Sequence, residues 1–185
     1  RDSILINGML TNCEVWYGLT DIEVNQLEEV DRLLLRQVFK VATSCPTEAL
    51  YLELGCVPVG LIIKSRRINY LHHLAGRHED EMLYKFFMTQ WHYPGRKNEW
   101  TEQVKADLKE LRLSDDLNWI KQISKLSFKS LIKKELRELA LKKFNQRKQG
   151  RSKMSNIVYT NLETQEYLKN QASQFSYKGN RVNRA

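Results

Sequence analysis

Apolar residues recur along most of the chain at spacings of three and four, with no convincing alternation, so the pattern predicts helices. A first helix is expected over residues 1–17 from Ile4, Leu5, Met9 and Leu10, ending near Gly18. Thr20 followed by Glu23 forms a capping box, in which each side chain satisfies the other residue's free backbone N–H. The helix it opens places Leu27, Val30, Leu34 and Val38 on one stripe, expected to face a core. Glu28, Glu29, Asp31, Arg32 and Arg36 fall on its other faces.

Pro46 starts a short helix at 47–54 that ends at Gly55, since proline fits a first helical turn and glycine a helix end. Pro58 opens a longer helix with Leu61, Ile62, Tyr70, Leu71 and Leu74 as buried candidates, closing at Gly76. Residues 79–91 follow, with Met82, Leu83, Phe86 and Phe87 as the apolar face, and then a Pro-Gly loop at 92–98 that reads as a domain seam. Helices are expected near 99–112 (Val104, Leu108, Leu111) and 115–124 (Leu117, Ile120, Ile123). A long basic helix then runs from about Ser127 to Gln149 (Leu131, Ile132, Leu136, Leu139, Phe144). From Gly150 the chain turns polar, with an extended candidate at 156–159 and a short helix near 164–171. The fold class is mostly α: helical lobes at 1–92 and 99–149, followed by a basic, partly disordered tail at 150–185.

Charge changes this picture through its distribution rather than through its total of +8. Residues 1–120 carry 14 Lys/Arg against 18 Asp/Glu, whereas residues 121–153 carry 12 against Glu135 and Glu138 alone, a net +10. Such asymmetry suggests a polyanionic partner, nucleic acid first, though a solvated basic helix has the same composition. Lys121, Lys125 and Lys129 would share one face if their stretch were continuously helical, and Lys133, Arg137, Lys142 and Lys148 extend the basic surface. Lys64, Arg66 and Arg67 form a smaller cluster on the helix after Pro58. Bases stack on aromatic side chains, and these are scarce here: Phe128 and Phe144 read as core, Trp16, Tyr17 and Trp91 as packing residues. Contact with phosphates therefore outranks base readout. The run 142–153 is also compatible with nuclear import.

Catalytic motifs are missing. Paired-metal polymerase chemistry needs aspartates on a tight turn between strands. The adjacent Asp115 and Asp116 instead precede a helical stripe, where the helix dipole favours first-turn acids. There is no Walker loop, GxSxG turn or HExxH pair. His72 and His73 are adjacent and so point to different helix faces, with no carboxylate placed beside them by periodicity. Cys13, Cys45 and Cys56 are odd in number and widely spaced, which argues against a disulfide scaffold and for a reducing compartment. No recognised zinc spacing occurs, and no cofactor is expected in this chain. No apolar run reaches the length of a membrane span. Lacking an initiator Met and starting inside a helical pattern, the chain reads as a piece of a longer protein.

The stretches Ser3-Ile4-Leu5-Ile6-Asn7-Gly8-Met9-Leu10, Glu14-Val15-Trp16-Tyr17-Gly18-Leu19, Leu27-Glu28 and Leu34-Leu35-Arg36-Gln37-Val38 resemble the segment after the palm in non-LTR (LINE-like) retrotransposon reverse transcriptases. The order differs in one respect, because Glu14 and Trp16 precede Tyr17-Gly18 rather than follow it. Residues 46–55, from Pro46 to Gly55, and residues 62–74, from Ile62 to Leu74, are similar to the helical region that follows in the same elements. The resemblance covers about residues 3–88. It implies a thumb-like, non-catalytic unit that grips a template–primer or target DNA/RNA duplex through its backbone. It also implies an upstream palm domain, in a parent polyprotein acting as an RNA-directed DNA polymerase at nuclear DNA. A helical protein–protein scaffold and an inert remnant of a decayed element remain as alternatives.

Overall fold

The computed structural model describes residues 5–47, 50–51, 54–93 and 99–149, leaving aside the side chains of 144, 145 and 147–149. Residues 94–98 of the loop expected at 92–98 and the tail at 150–185 lie outside the described residues, as does half of the short helix expected at 47–54, of which Thr47, Leu50 and Tyr51 have helical backbone. Among the described residues are seven α-helices, one 3-10 turn and no strand. In chain order they are α1 (Asn7–Met9), the 3-10 turn (Cys13–Val15), α2 (Asp21–Phe39), α3 (Val59–Ala75), α4 (Met82–His92), α5 (Trp100–Glu110), α6 (Leu117–Gln122) and α7 (Lys125–Gln149).

The mostly α class agrees with the apolar spacing, and several helix ends fall where chain chemistry puts them. Thr20 and Glu23 form the full capping box: Thr20 N–H donates to Glu23 Oε2 at 2.8 Å, and Glu23 N–H to Thr20 Oγ1 at 3.3 Å. The Thr20 partner holds the Glu23 carboxyl below the usual range, the bond from its backbone N–H being the largest cause. Thr20→Ala is expected to cost about 1 kcal/mol, read as a melting temperature lower by roughly 2–4 °C. Pro58 and Gly76 flank α3 at its N- and C-caps, and Gly55 takes a left-handed φ of +58° before it. The expected first helix does not run through. Asn12 is left-handed (φ 56°), which separates α1 from the 3-10 turn and lets Ile6, Leu10 and Cys13 all turn inward.

Helix α3 is the hub, with the 3-10 turn, α2, α4, α5, α6 and α7 all packed on it. Its Leu61, Ile68, Leu71 and Leu74 join Phe87 and Trp91 of α4, Val104 and Leu108 of α5, Ile120 of α6, and Phe128, Ile132 and Leu136 of α7. That single core spans the boundary expected at 92–98. A second cluster sets Ile6, Leu10 and Cys13 against Val59 and Ile63, and a third joins Leu35 to Leu50 and Tyr51. Gly60 lets α2 come close to α3: a Cβ there would meet Val24 Cγ1 at 3.0 Å, and its N–H donates to Glu28 Oε1 at 3.3 Å.

Two apolar stripes are buried only in part. In α2 the buried side is Asp31 and Leu35, with Leu27 and Leu34 half-buried, while Val30 and Val38 are 48% and 63% exposed. The inward place goes to Asp31 because Tyr51 reaches it from the next segment, O–H to Oδ2, at 2.9 Å. In α4 the inward pair is Phe87 and Trp91, with ring centroids 5.6 Å apart, and Met82, Leu83 and Phe86 face outward. Tyr17 is likewise exposed rather than packed.

Candidate nucleic-acid interface

The acid pair Asp115-Asp116 forms a helix start. Asp116 is the N-cap of α6 and accepts from Asn118 N–H at 2.9 Å, while Ser114 Oγ accepts from Asp116 N–H at 3.2 Å. Helix α6 then stops after one and a half turns, where Ile123 is extended and Ser124 starts α7 by accepting from Ser127 N–H at 3.2 Å. His72 of α3 clamps this break, with Nε2 2.9 Å from the Ile123 carbonyl and its ring stacked on Phe128 at 4.8 Å.

The break corrects the continuous stripe expected from the lysine spacing. Lys121 belongs to α6, where it lies 3.7 Å from Glu79 and 5.9 Å over the Tyr84 ring. Lys125, Lys129 and Lys133 belong to α7 and are exposed. Each step of four residues turns about 40° further around the helix, so these lysines wrap around it beside the buried Phe128, Ile132 and Leu136. Arg137 is half-buried, Lys142 is exposed, and the side chain of Lys148 lies outside the described residues.

The cluster on α3 has other work. Arg67 is 4% exposed; its Nε and Nη2 donate to Asp107 Oδ2 of α5 at 2.8 and 2.7 Å, and its Nη1 to the Trp16 carbonyl at 3.2 Å. Lys64 stands 3.5 Å from Asp107 Oδ1 and donates to Glu110. Arg66 donates to the Leu10 carbonyl and to Asn7 Oδ1, both at 2.7 Å, tying down the N-terminal segment. Burial pushes the neighbouring Cys13 thiol above its usual range, against the opposing pull of the Arg66 cation. Arg67 is thus buried in the protein, while Lys64 and Arg66, half-buried, bond to groups of the protein itself.

Sequence reasoning passed over the acids that complete this network, and over Lys143 of α7, whose Nζ lies 2.9 Å from Glu110 Oε1. The signal was present, because Asp107 sits on the apolar stripe of Val104, Leu108 and Leu111, where an acid demands a buried cation. Burial pushes the Glu110 carboxyl up, but bonds from Lys64 and Lys143 together with their charges outweigh it and hold the group below its usual range. A carboxylate depressed by folding stabilises above the unfolded value and loses that contribution as pH falls through the folded one. Acid is thus expected to loosen the α3–α5–α7 junction below the ordinary glutamate range. In a urea titration against pH, Glu110→Gln should flatten that part of the profile.

Comparison with family models, curated proteins and solved structures returned no match. The residues themselves must carry the reading. They place a lysine-rich outer surface on α7, backed by a buried apolar ridge and by a helix junction pinned by His72 and the Lys143–Glu110 pair. Among the described residues no group of three or more His, Cys, Asp or Glu stands together as metal ligands, and no helix is long and apolar enough to cross a membrane. Such a surface can neutralise phosphates.

Proposed function

We propose that this chain is a non-catalytic, thumb-like segment of a non-LTR retrotransposon reverse transcriptase, in which α7 grips a nucleic-acid duplex through its phosphates. The observation that carries the reading is the net +10 of residues 121–153, together with the exposure of Lys125, Lys129 and Lys133 on α7. Along α7, Lys125 to Lys133 covers about 12 Å of axis within an arc of roughly 80°, the rise of roughly three to four base pairs, so neighbouring phosphates lie within reach at once. The polymerase chemistry of the parent belongs to an upstream palm domain, and the site of action is nuclear. The test is binding of the chain to an RNA–DNA hybrid across a salt series. A steep linear fall of log affinity with log salt supports the reading, and weak, salt-insensitive binding sinks it.

A second reading, a helical scaffold for another protein, is favoured by the 71% and 61% exposure of Met82 and Phe86 on the outer face of α4. It predicts a stable protein complex and no preference for duplex.

A further inference from the structure

The outer face of α2 has a chemical order that its burial does not explain. Glu23, Gln26, Val30, Leu33, Gln37 and Lys40 follow one another at alternating spacings of three and four, which is the seam of a helix that pairs with another helix. At 100° per residue the five that lie within α2 fall in an arc of roughly 80°, and Lys40 follows them as the left-handed C-cap of the helix, at φ 51°. All six are exposed, with Val30 and Leu33 48% and 54% accessible, while Asp31 and Leu35 hold the opposite side against the protein. Along the seam the order is acid, amide, aliphatic, aliphatic, amide, base.

We infer that this face docks a second copy of the same chain, α2 against α2 in antiparallel orientation about a twofold axis between Val30 and Leu33. A twofold interface puts each residue opposite its complement twice. Here Glu23 meets the second copy's Lys40, Gln26 meets Gln37, and Val30 meets Leu33. The amides can each donate and accept, and the aliphatic pairs at the centre exclude water. Parallel pairing is disfavoured by the same residues, since it sets Glu23 on Glu23 and Lys40 on Lys40 and aligns the two helix dipoles. Glu23 keeps its capping bond to Thr20 through Oε2 while its carboxylate closes one end of the seam. The seam is about 25 Å long and only its centre is apolar, so the pairing is a weak, reversible one.

The test is sedimentation equilibrium of the full chain from about 5 to 500 µM, at moderate salt. The expected result is a monomer–dimer equilibrium that the Val30→Glu/Leu33→Glu double variant abolishes with an unchanged far-ultraviolet circular dichroism spectrum. Lys40→Glu, at the exposed end of the helix, is expected to weaken dimerisation by roughly tenfold or more, because it sets acid against acid at both ends. Should the double variant lose helix, Lys40→Glu alone carries the test. Monomeric sedimentation throughout overturns the inference. So does a double variant that dimerises like the parent, and so does a Lys40→Glu variant of unchanged affinity, since parallel pairing merely exchanges one like-charge repulsion for another.

Discussion

Arg67→Ala is expected to lower the unfolding free energy by about 3–5 kcal/mol and the melting temperature by roughly 6–20 °C, measured by urea and thermal denaturation. The size follows from what remains behind. Asp107 is 1% exposed and receives two of the Arg67 nitrogens on one oxygen, so truncation leaves a carboxylate inside the protein, with Lys64 3.5 Å from the other oxygen. The Trp16 carbonyl loses its donor as well, which removes one of the ties between the end of the 3-10 turn and α3. Arg67→Lys should recover only part of the loss, because an ammonium cannot present the guanidinium fork. Replacing the pair together, as Arg67→Met/Asp107→Leu, is expected to restore most of the stability: the cost lies in the orphaned charge rather than in a missing attraction. A single substitution as mild as that of an exposed lysine would show that the pair is hydrated and that α3 and α5 are held by their apolar contacts alone.

The same residues mark where the amino-acid pattern stops being informative. Helix ends are set locally, by caps, prolines and glycines within a few residues of each other. Thr20, Glu23, Pro58 and Gly76 accordingly lie where they should. Periodicity identifies a stripe but not its direction when a helix carries apolar residues on more than one side. In α2 the stripe through Val30 and Val38 points to water because a distant partner, Tyr51, makes a home for Asp31 within the protein. In α4 the large aromatics Phe87 and Trp91 reach the core, and Met82 and Phe86 are left outside.

Charge is ambiguous for a related reason. A lysine or arginine reads as surface until the acid that faces it is found, and that acid can be tens of residues away, as Asp107 is from Arg67. A basic cluster on an otherwise apolar helix is better read as half of a buried network when a second helix carries an acid on its own apolar stripe. Lys125, Lys129 and Lys133 escape this fate because the buried side of α7 beside them is apolar at Phe128, Ile132 and Leu136, whereas Lys143 further along the same helix pairs with Glu110. The break at Ser124 was legible only in part, since a Ser-x-x-Ser start is common and the His72 clamp on Ile123 comes from another helix.

Reversing Lys125, Lys129 and Lys133 to Glu together is expected to lower affinity for an RNA–DNA hybrid by roughly 100- to 1000-fold near 0.1 M salt. The slope of log affinity against log salt should also shrink by about 2.7, from three lost phosphate contacts at about 0.9 each. These lysines are exposed and make no part of the core, so melting temperature should hardly move, and loss of binding cannot be blamed on unfolding. Lys64→Gln provides the contrast: it sits in the ion network under α7, and should alter stability while leaving the salt slope unchanged. The slope separates the two kinds of cation because it counts released counterions, which only a solvent-facing charge displaces. If triple reversal leaves the slope intact, α7 is a solvated helix and the duplex, if bound at all, is held elsewhere. If affinity falls but the slope does not, the contact is local and steric, and a protein partner for this surface becomes the better account.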